Sequence, residues 1–349
     1  MNGKSPVPVV EELDLARLVT PYQSRKMPVY RWYNLNHSYS KDLILRLLQD
    51  FKVPPQSTVL DPFCGTGTTM LCCRDAGMNA VGVDIMPLST FASRSKIMYY
   101  DCGQVERDFG RIFPGRQYDF GFETAAPYLQ KCFPLEELTR LLHLRYSILQ
   151  MENPCRSFFA LALLGILKQV SYTKNDGAFI RFCRDEEPDC LEETFPAQVK
   201  MMLNDIRSNG DERNGNQFPV IRGDARNLPL ADNLADCLIT SPPYLNRHDY
   251  TRIYAVELLF SFLDDNEQLK KLRYKMLRSN VEARRTVESS DYEPPPRLAE
   301  LLAKLEKCRL PNRKVLDMIA GYFEDMYLVL KEAARVLKRG AKAAFVVRN

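Results

Sequence analysis

The sequence predicts an α/β fold built around a parallel sheet. Two observations carry that expectation: short apolar runs containing β-branched residues, each handing over to a polar loop, and stretches of helical periodicity between them. Thr58-Val59-Leu60 is the first run. It ends at Asp61, passes through a Gly/Thr turn and gives way to Met70-Leu71-Cys72-Cys73, the pattern of strand, tight loop and helix. Ala80-Val81-Gly82-Val83-Asp84 reads as a second strand closing on an acid, Phe218 to Asp224 as a third, Ala235 to Thr240 as a fourth, and Ala343 to Val347 as a fifth.

The stretch separating the second and third strands is far longer than a crossover needs, so 103–217 is read as a mainly helical insertion with structure of its own. Leu135 to Leu149 has apolar residues at helical spacing, and Phe158 to Leu164 is apolar enough to be buried on most sides. The second of these needs a partner, for which the preceding helix is the candidate. After the fourth strand a mixed helical stretch leads to Pro294-Pro295-Pro296 and a helix from Arg297 to Glu306. A long helix from Val315 to Leu337 follows, with Lys338-Arg339-Gly340 as its stop signal.

At 349 residues, with 45% hydrophobic and 26% charged, the composition is that of an ordinary globular chain. No apolar run approaches the roughly 20 residues of a membrane-spanning helix, so no membrane association is expected. Met1 to Glu12 lacks the basic-then-apolar order of a signal peptide, which predicts a cytoplasmic protein whose ten cysteines are free thiols. Cys72 and Cys73 are adjacent, no pair has zinc-site spacing, and His37, His143 and His248 are isolated, so no metal is expected. The net charge of +4 neither requires nor opposes a polyanionic partner. Lys270, Lys271, Arg273, Lys275, Arg278, Arg284 and Arg285 face the single acid Glu282, a density that would attract phosphates or else form a solvated helix face.

Gly65 and Gly67 sit where a strand hands over to a helix, letting the backbone approach a ligand and present free N–H groups. No Gly-Lys-Ser/Thr ending follows, which disfavours a triphosphate loop, and Met70 stands where a dinucleotide fold has its third glycine. Asp84, ending the next strand, can accept hydrogen bonds from both ribose hydroxyls of a nucleoside cofactor. Asp224 after the third strand could take an adenine amino group, so three loops at neighbouring strand ends would surround one adenosine-containing ligand. Ser241-Pro242-Pro243-Tyr244 follows the fourth strand at the same edge. Its prolines hold the backbone extended and leave carbonyls as acceptors. Hydrogen bonds from a base amine to a Ser241 oxygen and a proline carbonyl would favour a pyramidal, nucleophilic nitrogen, and Tyr244 can stack on the ring. The loop contains no nucleophilic cysteine, which argues for direct transfer rather than a covalent route.

These motifs resemble those of the DNA amino-methyltransferases that make N4-methylcytosine and N6-methyladenine. Asp61 to Thr69 is similar to the family's cofactor loop, which implies that Asp61, Phe63, Gly65, Thr66, Gly67 and Thr68 help to bind S-adenosyl-L-methionine, together with Asp84 and Asp224. Ser241 to Tyr244 is similar to the catalytic loop, where a leading Ser is more typical of cytosine enzymes and a leading Asp or Asn of adenine enzymes. Trp32 to Ser40, followed by a helix-like Lys41 to Phe51, resembles the segment that folds over the cofactor's methionine, adding Trp32 and Ser38 as cofactor residues. The resemblance covers residues 27–95, 218–250 and 315–348.

The family implies a Rossmann-like class I methyltransferase sheet with a large helical insertion, here lacking its last strands, because the chain stops where the family continues into an antiparallel pair. A fragment, or a split enzyme completed by a partner chain, is preferred over a degenerate copy. The domain division is then a cofactor-binding half at 20–100, the insertion at 103–217, and a catalytic half at 218–349 with a basic helical segment at 247–312. The implied substrate is double-stranded DNA with a flipped base, cytosine N4 first and adenine N6 second. Both 103–217 and 247–312 are candidates for gripping DNA. Asn246, Arg247, His248, Asp249 and Tyr250 are close enough in sequence to touch base or phosphate, though each reads more simply as a loop residue. Methylation of a base amine in structured RNA, and a non-catalytic subunit, are the alternatives.

Overall fold

The computed structural model describes residues 15–347 apart from positions 21, 23, 36, 37, 178, 210–214, 288–290 and 309–311. The expectations placed on Met1 to Glu12 and on His37 therefore lie outside the described residues. The chain opens with α1 (Leu15–Leu18) and α2 (Lys41–Asp50), then alternates β1 (Thr58–Asp61), α3 (Thr68–Asp75), β2 (Asn79–Asp84) and α4 (Pro87–Ile97). Next come α5 (Cys102–Ile112), α6 (Pro127–Cys132), α7 (Leu135–Leu149) and α8 (Cys155–Ile166). A hairpin of β3 (Thr173–Asp176) and β4 (Phe179–Phe182) precedes α9 (Leu191–Asn209). After β5 (Val220–Arg222) and β6 (Ala235–Thr240) the chain forms α10 (Tyr250–Ile253), α11 (Ala255–Ser261) and α12 (Asn266–Lys275). The last described elements are α13 (Pro296–Glu306), α14 (Lys314–Val336) and β7 (Leu337–Phe345).

The main sheet has the order β5-β2-β1-β6-β7 with every pair parallel. From β1 the chain steps outward to β2 and β5, then returns to place β6 on the other side of β1. Connections leaving β1 and β6 therefore go opposite ways and open a crevice at their carboxyl ends, the usual ligand position in such sheets. Side-chain alternation along the strands feeds two apolar layers. Val59, Ala80, Cys237 and Ile239 pack with α2 and α3, while Leu60, Val81, Val83 and Leu238 pack with Ala333 and Val336 of α14.

The helices expected in the insertion are present, and α7 and α8 share one apolar cluster with α9. Phe158, Phe159 and Phe195 are wholly buried there, each contributing about 1.5–3 kcal/mol by removal from water. The cluster continues into Val29 to Leu35, α4 and α11, so the helical layer and the segment before α2 share a single core. Asp205 on α9 fastens that segment: its carboxylate accepts the Val29 amide at 3.0 Å, Arg31 Nε at 3.0 Å and Trp32 Nε1 at 3.1 Å. From α4, the buried Lys96 ammonium donates to the Tyr30 and Tyr33 carbonyls, and burial lowers its pKa to about 7.

One expectation is met with an addition and one needs correction. The insertion is mainly helical, as expected, and adds one short hairpin that the sequence did not signal: β3 and β4 pair antiparallel across a turn with Gly177 at φ +59°. Gly177 is the first residue of the two-residue loop, where glycine accepts positive φ without steric cost. By contrast, Lys338-Arg339-Gly340 is not a helix stop. The helix ends at Val336, and β7 begins at Leu337 opposite Ala235, so the strand is longer than Ala343 to Val347. Between the Ala235–Leu337 and Cys237–Lys342 pairs the register shifts, with Gly340 at φ +84° inside the bulge.

Candidate active site

The carboxyl ends of β1, β2 and β6 converge on one cavity lined by Gly65, Asp84, Ser241, Pro242, Pro243 and Tyr244, with apolar walls that include Leu35 and Phe63. The cofactor-loop and catalytic-loop motifs thus meet at the crevice between β1 and β6.

Asp61 is not a lining residue but the buried tie-point of that crevice. Its carboxylate accepts hydroxyl hydrogens from Thr69 at 2.6 Å, Thr240 at 2.7 Å and Tyr39 at 3.0 Å, and the Phe63 amide at 3.2 Å. Burial raises its pKa, and the three hydroxyl donors oppose that rise. One side chain thereby joins the first loop, the start of α3, the end of β6 and the segment before α2. Ser38 adds a second tie, its hydroxyl lying 3.0 Å from that of Thr68. Thr66 is buried. Gly67 is demanded by both backbone and space: its φ is +84°, and a Cβ there would lie 2.4 Å from Ser93 Oγ.

Asp84 faces the cavity, as its position in the sequence predicts. Its two oxygens accept the Gly65 amide at 3.0 Å and the Met86 amide at 2.8 Å. Burial nevertheless lifts the carboxyl to about 6 from its ordinary 3.8, with the amide bonds pulling the other way. The Ser89 hydroxyl is a third donor to this carboxylate, leaving part of its acceptor capacity unused. Asp224 is differently placed: Arg226 donates to both its oxygens, at 3.0 and 2.7 Å, and it does not line the cavity. Trp32 too stands away from it, with its ring among Tyr100 and Phe158 and its indole N–H on Asp205.

In the catalytic loop, Ser241 Oγ donates to the Val346 carbonyl at 3.0 Å and lies 3.0 Å from the Tyr244 hydroxyl. Tyr322 of α14 donates to the Pro243 carbonyl at 2.9 Å. Of the five residues after Tyr244 considered in the sequence, Tyr250 lines the cavity as the first residue of α10. Asp249 caps that helix and pairs with Arg273 at 2.7 Å, while the Arg247 amide donates to the Ser279 carbonyl.

Several site residues escaped the sequence reading. Leu35, Ile85, Met86 and Ser89 sit beside recognised motifs, but Met276 and Leu277 come from a remote segment with no local signature. That segment is held by a buried ion cluster: Asp325 of α14 accepts Arg278 Nη2 at 2.7 Å and pairs with Arg226 at 3.1 Å. The basic run is accordingly not a free phosphate patch. Arg273, Arg278 and Arg285 are paired with Asp249, Asp325 or Glu324, Lys270 with Glu267, and Arg284 lies over the Tyr274 ring. Lys271 and Lys275 remain exposed. Among the described residues all ten cysteines are free, and no helix is long and apolar enough to cross a membrane.

Known proteins agree with this geometry. Residues 23–88 match the sequence profile of a family described as DNA methylase, the N6/N4 methyltransferases, over the first loop and Asp84. The chain is 27% identical to the type II methyltransferase M.BsoBI of Geobacillus stearothermophilus, across 99% of its own length and 79% of that protein's. It is 29% identical to the type II methyltransferase M.AvaI of Anabaena variabilis, across 96% and 77%. It is 22% identical to the type II methyltransferase M.MvaI of Kocuria varians, across 90% and 76%. Two motifs meet at the sheet's switch point, a DNA methylase family profile matches the first of them, and type II methyltransferases align along nearly the whole chain, so the protein is similar to the DNA amino-methyltransferases.

Proposed function

We propose that the protein methylates the exocyclic amino group of a flipped base in double-stranded DNA, at cytosine N4, using S-adenosyl-L-methionine. The observation that carries this reading is that Asp84 and Gly65 line the same cavity as Ser241 to Tyr244. A nucleoside cofactor and a base amine can therefore meet in one enclosed place. The residues present suit such a cofactor: Asp84 retains acceptor capacity for ribose hydroxyls, and Leu35, Phe63, Ile85 and Met86 supply apolar surface. Asp224, occupied by Arg226, is the weaker candidate for the adenine amine.

S-adenosyl-L-methionine, when bound, supplies an electrophilic methyl group on a sulfonium sulfur. The chain's own part is to hold the amine. Its lone pair is delocalised into the base, and acceptors placed on its hydrogens localise that pair on nitrogen. Ser241 Oγ is one such acceptor. A proline carbonyl of the loop is the other, and the Tyr322 hydroxyl bonded to the Pro243 carbonyl helps to hold that backbone in place. Tyr244 offers a ring face for the extruded base, an interaction typically worth about 1–3 kcal/mol. Alignment of this kind can contribute roughly 7–11 kcal/mol without a strong general base.

The test is nucleoside mass spectrometry of DNA after incubation with the purified protein and isotopically labelled S-adenosyl-L-methionine. Labelled N4-methylcytosine is the expected product. N6-methyladenine would move the target base, and labelled RNA with unlabelled DNA would overturn the substrate.

A further inference from the structure

Ser241 has one hydroxyl proton and two nearby oxygens, 3.0 Å each: the Val346 carbonyl and the Tyr244 hydroxyl. A backbone carbonyl can only accept, so the proton must point at Val346 and Tyr244 must be the donor in its own contact. Val346 cannot easily turn away. Its amide donates to the Thr240 carbonyl at 2.8 Å, continuing the β6–β7 ladder by one residue, and its side chain is buried.

We propose that the Val346 backbone carbonyl commits the Ser241 proton, so that Ser241 meets the base only as an acceptor and the loop selects an amino group over a keto oxygen. This rests on the proposed amine methylation. The amines of cytosine and adenine donate hydrogens and match the remaining lone pairs. A keto oxygen at the same ring position would bring two acceptors together with no proton between them, which costs about 1–3 kcal/mol when water is excluded. The Tyr244 hydroxyl occupies one lone pair of Ser241 in the place an amine hydrogen would take, and stacking of Tyr244 on the base would vacate it.

Two substitutions separate this arrangement from a general need for an acceptor. Ser241→Asn carries both a donor for Val346 and an acceptor for the amine. Ser241→Asp offers the stronger acceptor but, when ionised, sets a carboxylate against the Val346 carbonyl. The other titratable groups around that position are Tyr244, Tyr250, Tyr322, Asp61 and Asp84, and they are common to both variants. Methyl transfer to DNA and thermal unfolding would be measured for both variants between about pH 8 and pH 5.5.

The expected result is that Ser241→Asn exceeds Ser241→Asp in transfer about 10- to 100-fold at the higher pH, the fold-change corresponding to one lost hydrogen bond and a repulsive contact. A protonated carboxyl can again donate to Val346, so the transfer gap should narrow as pH falls, and the gap in melting temperature should narrow with it. Equal transfer and a pH-independent difference in melting temperature would overturn the inference. If the unsubstituted protein transfers no methyl to DNA, the functional reading fails separately, and the melting comparison still decides the proton's direction.

Discussion

Asp84→Asn separates the two demands placed on one carboxylate. The Asp84 oxygens accept the Gly65 and Met86 amides, yet burial outweighs them and lifts the carboxyl to about 6 from 3.8. At about pH 7.5 both the folded and the unfolded chain are ionised here, and the folded state bears the full cost of a buried charge. As pH falls through about 6, the folded protein takes up a proton that the unfolded chain accepts only near 3.8, and the cost fades. Going from about pH 7.5 to pH 5 should return about 1.4 kcal/mol of stability through this group, since each tenfold change in protonation corresponds to 1.36 kcal/mol. Asparagine cannot titrate and gains none of it.

Urea unfolding of both proteins at the two pH values measures the difference directly, because every other titrating group is shared. The protein with Asp84 should improve on Asp84→Asn by about 1.4 kcal/mol at the lower pH relative to the higher. Calorimetric titration with S-adenosyl-L-methionine supplies a second arm. At pH 5 only about one molecule in eleven keeps Asp84 ionised, so its affinity should fall about tenfold, while that of Asp84→Asn should be weak and flat. Parallel stability curves for the two proteins would refute the raised pKa and the reasoning built on it.

Three further outcomes follow from the packing. Asp325→Ala removes the buried carboxylate shared by Arg226 and the half-buried Arg278, which keep only Asp224 and Glu324, and should cost about 3 kcal/mol in urea unfolding, where a loss below about 1 kcal/mol would show the cluster to be incidental. Trp32→Phe removes the indole bond to Asp205 and should lower stability by about 1–3 kcal/mol with S-adenosyl-L-methionine affinity unchanged. A weakened affinity at constant stability would instead make Trp32 a cofactor contact. Tyr322→Phe deletes only the hydroxyl that holds the Pro243 carbonyl and should lower kcat about 2- to 10-fold with KM for DNA little changed. A shift confined to KM would contradict a positioning role in the loop.

Short β-branched runs ending in Asp61, Asp84 and Thr240 made the inner strands legible, since strands buried on both faces must be apolar along their length. The positions of Asp84 and Ser241 in the site were legible for the same reason: a residue just after a parallel strand projects at its carboxyl edge wherever that strand lies in the sheet. Trp32 and Asp224 show where such reasoning stopped. Each has the right residue type near a recognised motif, but Asp205 and Arg226, distant in sequence or unremarked beside it, engage the polar groups that a ligand contact would need. The basic run from Lys270 to Arg285 could be read two ways from the sequence, because its acidic partners Asp249, Glu324 and Asp325 lie far from it in the chain.

By itself the sequence determined the fold class, the two loops that meet at the cavity, and the carboxylate and serine that face it, because those features depend on strand periodicity and on residues adjacent to strand ends. Only the tertiary structure decided which wall faces those loops, that Asp61 ties four segments together rather than lining the site, and that the Ser241 proton points at Val346. Those outcomes depend on contacts between residues far apart in the chain, where the order of the strands and the burial of charge decide which groups meet.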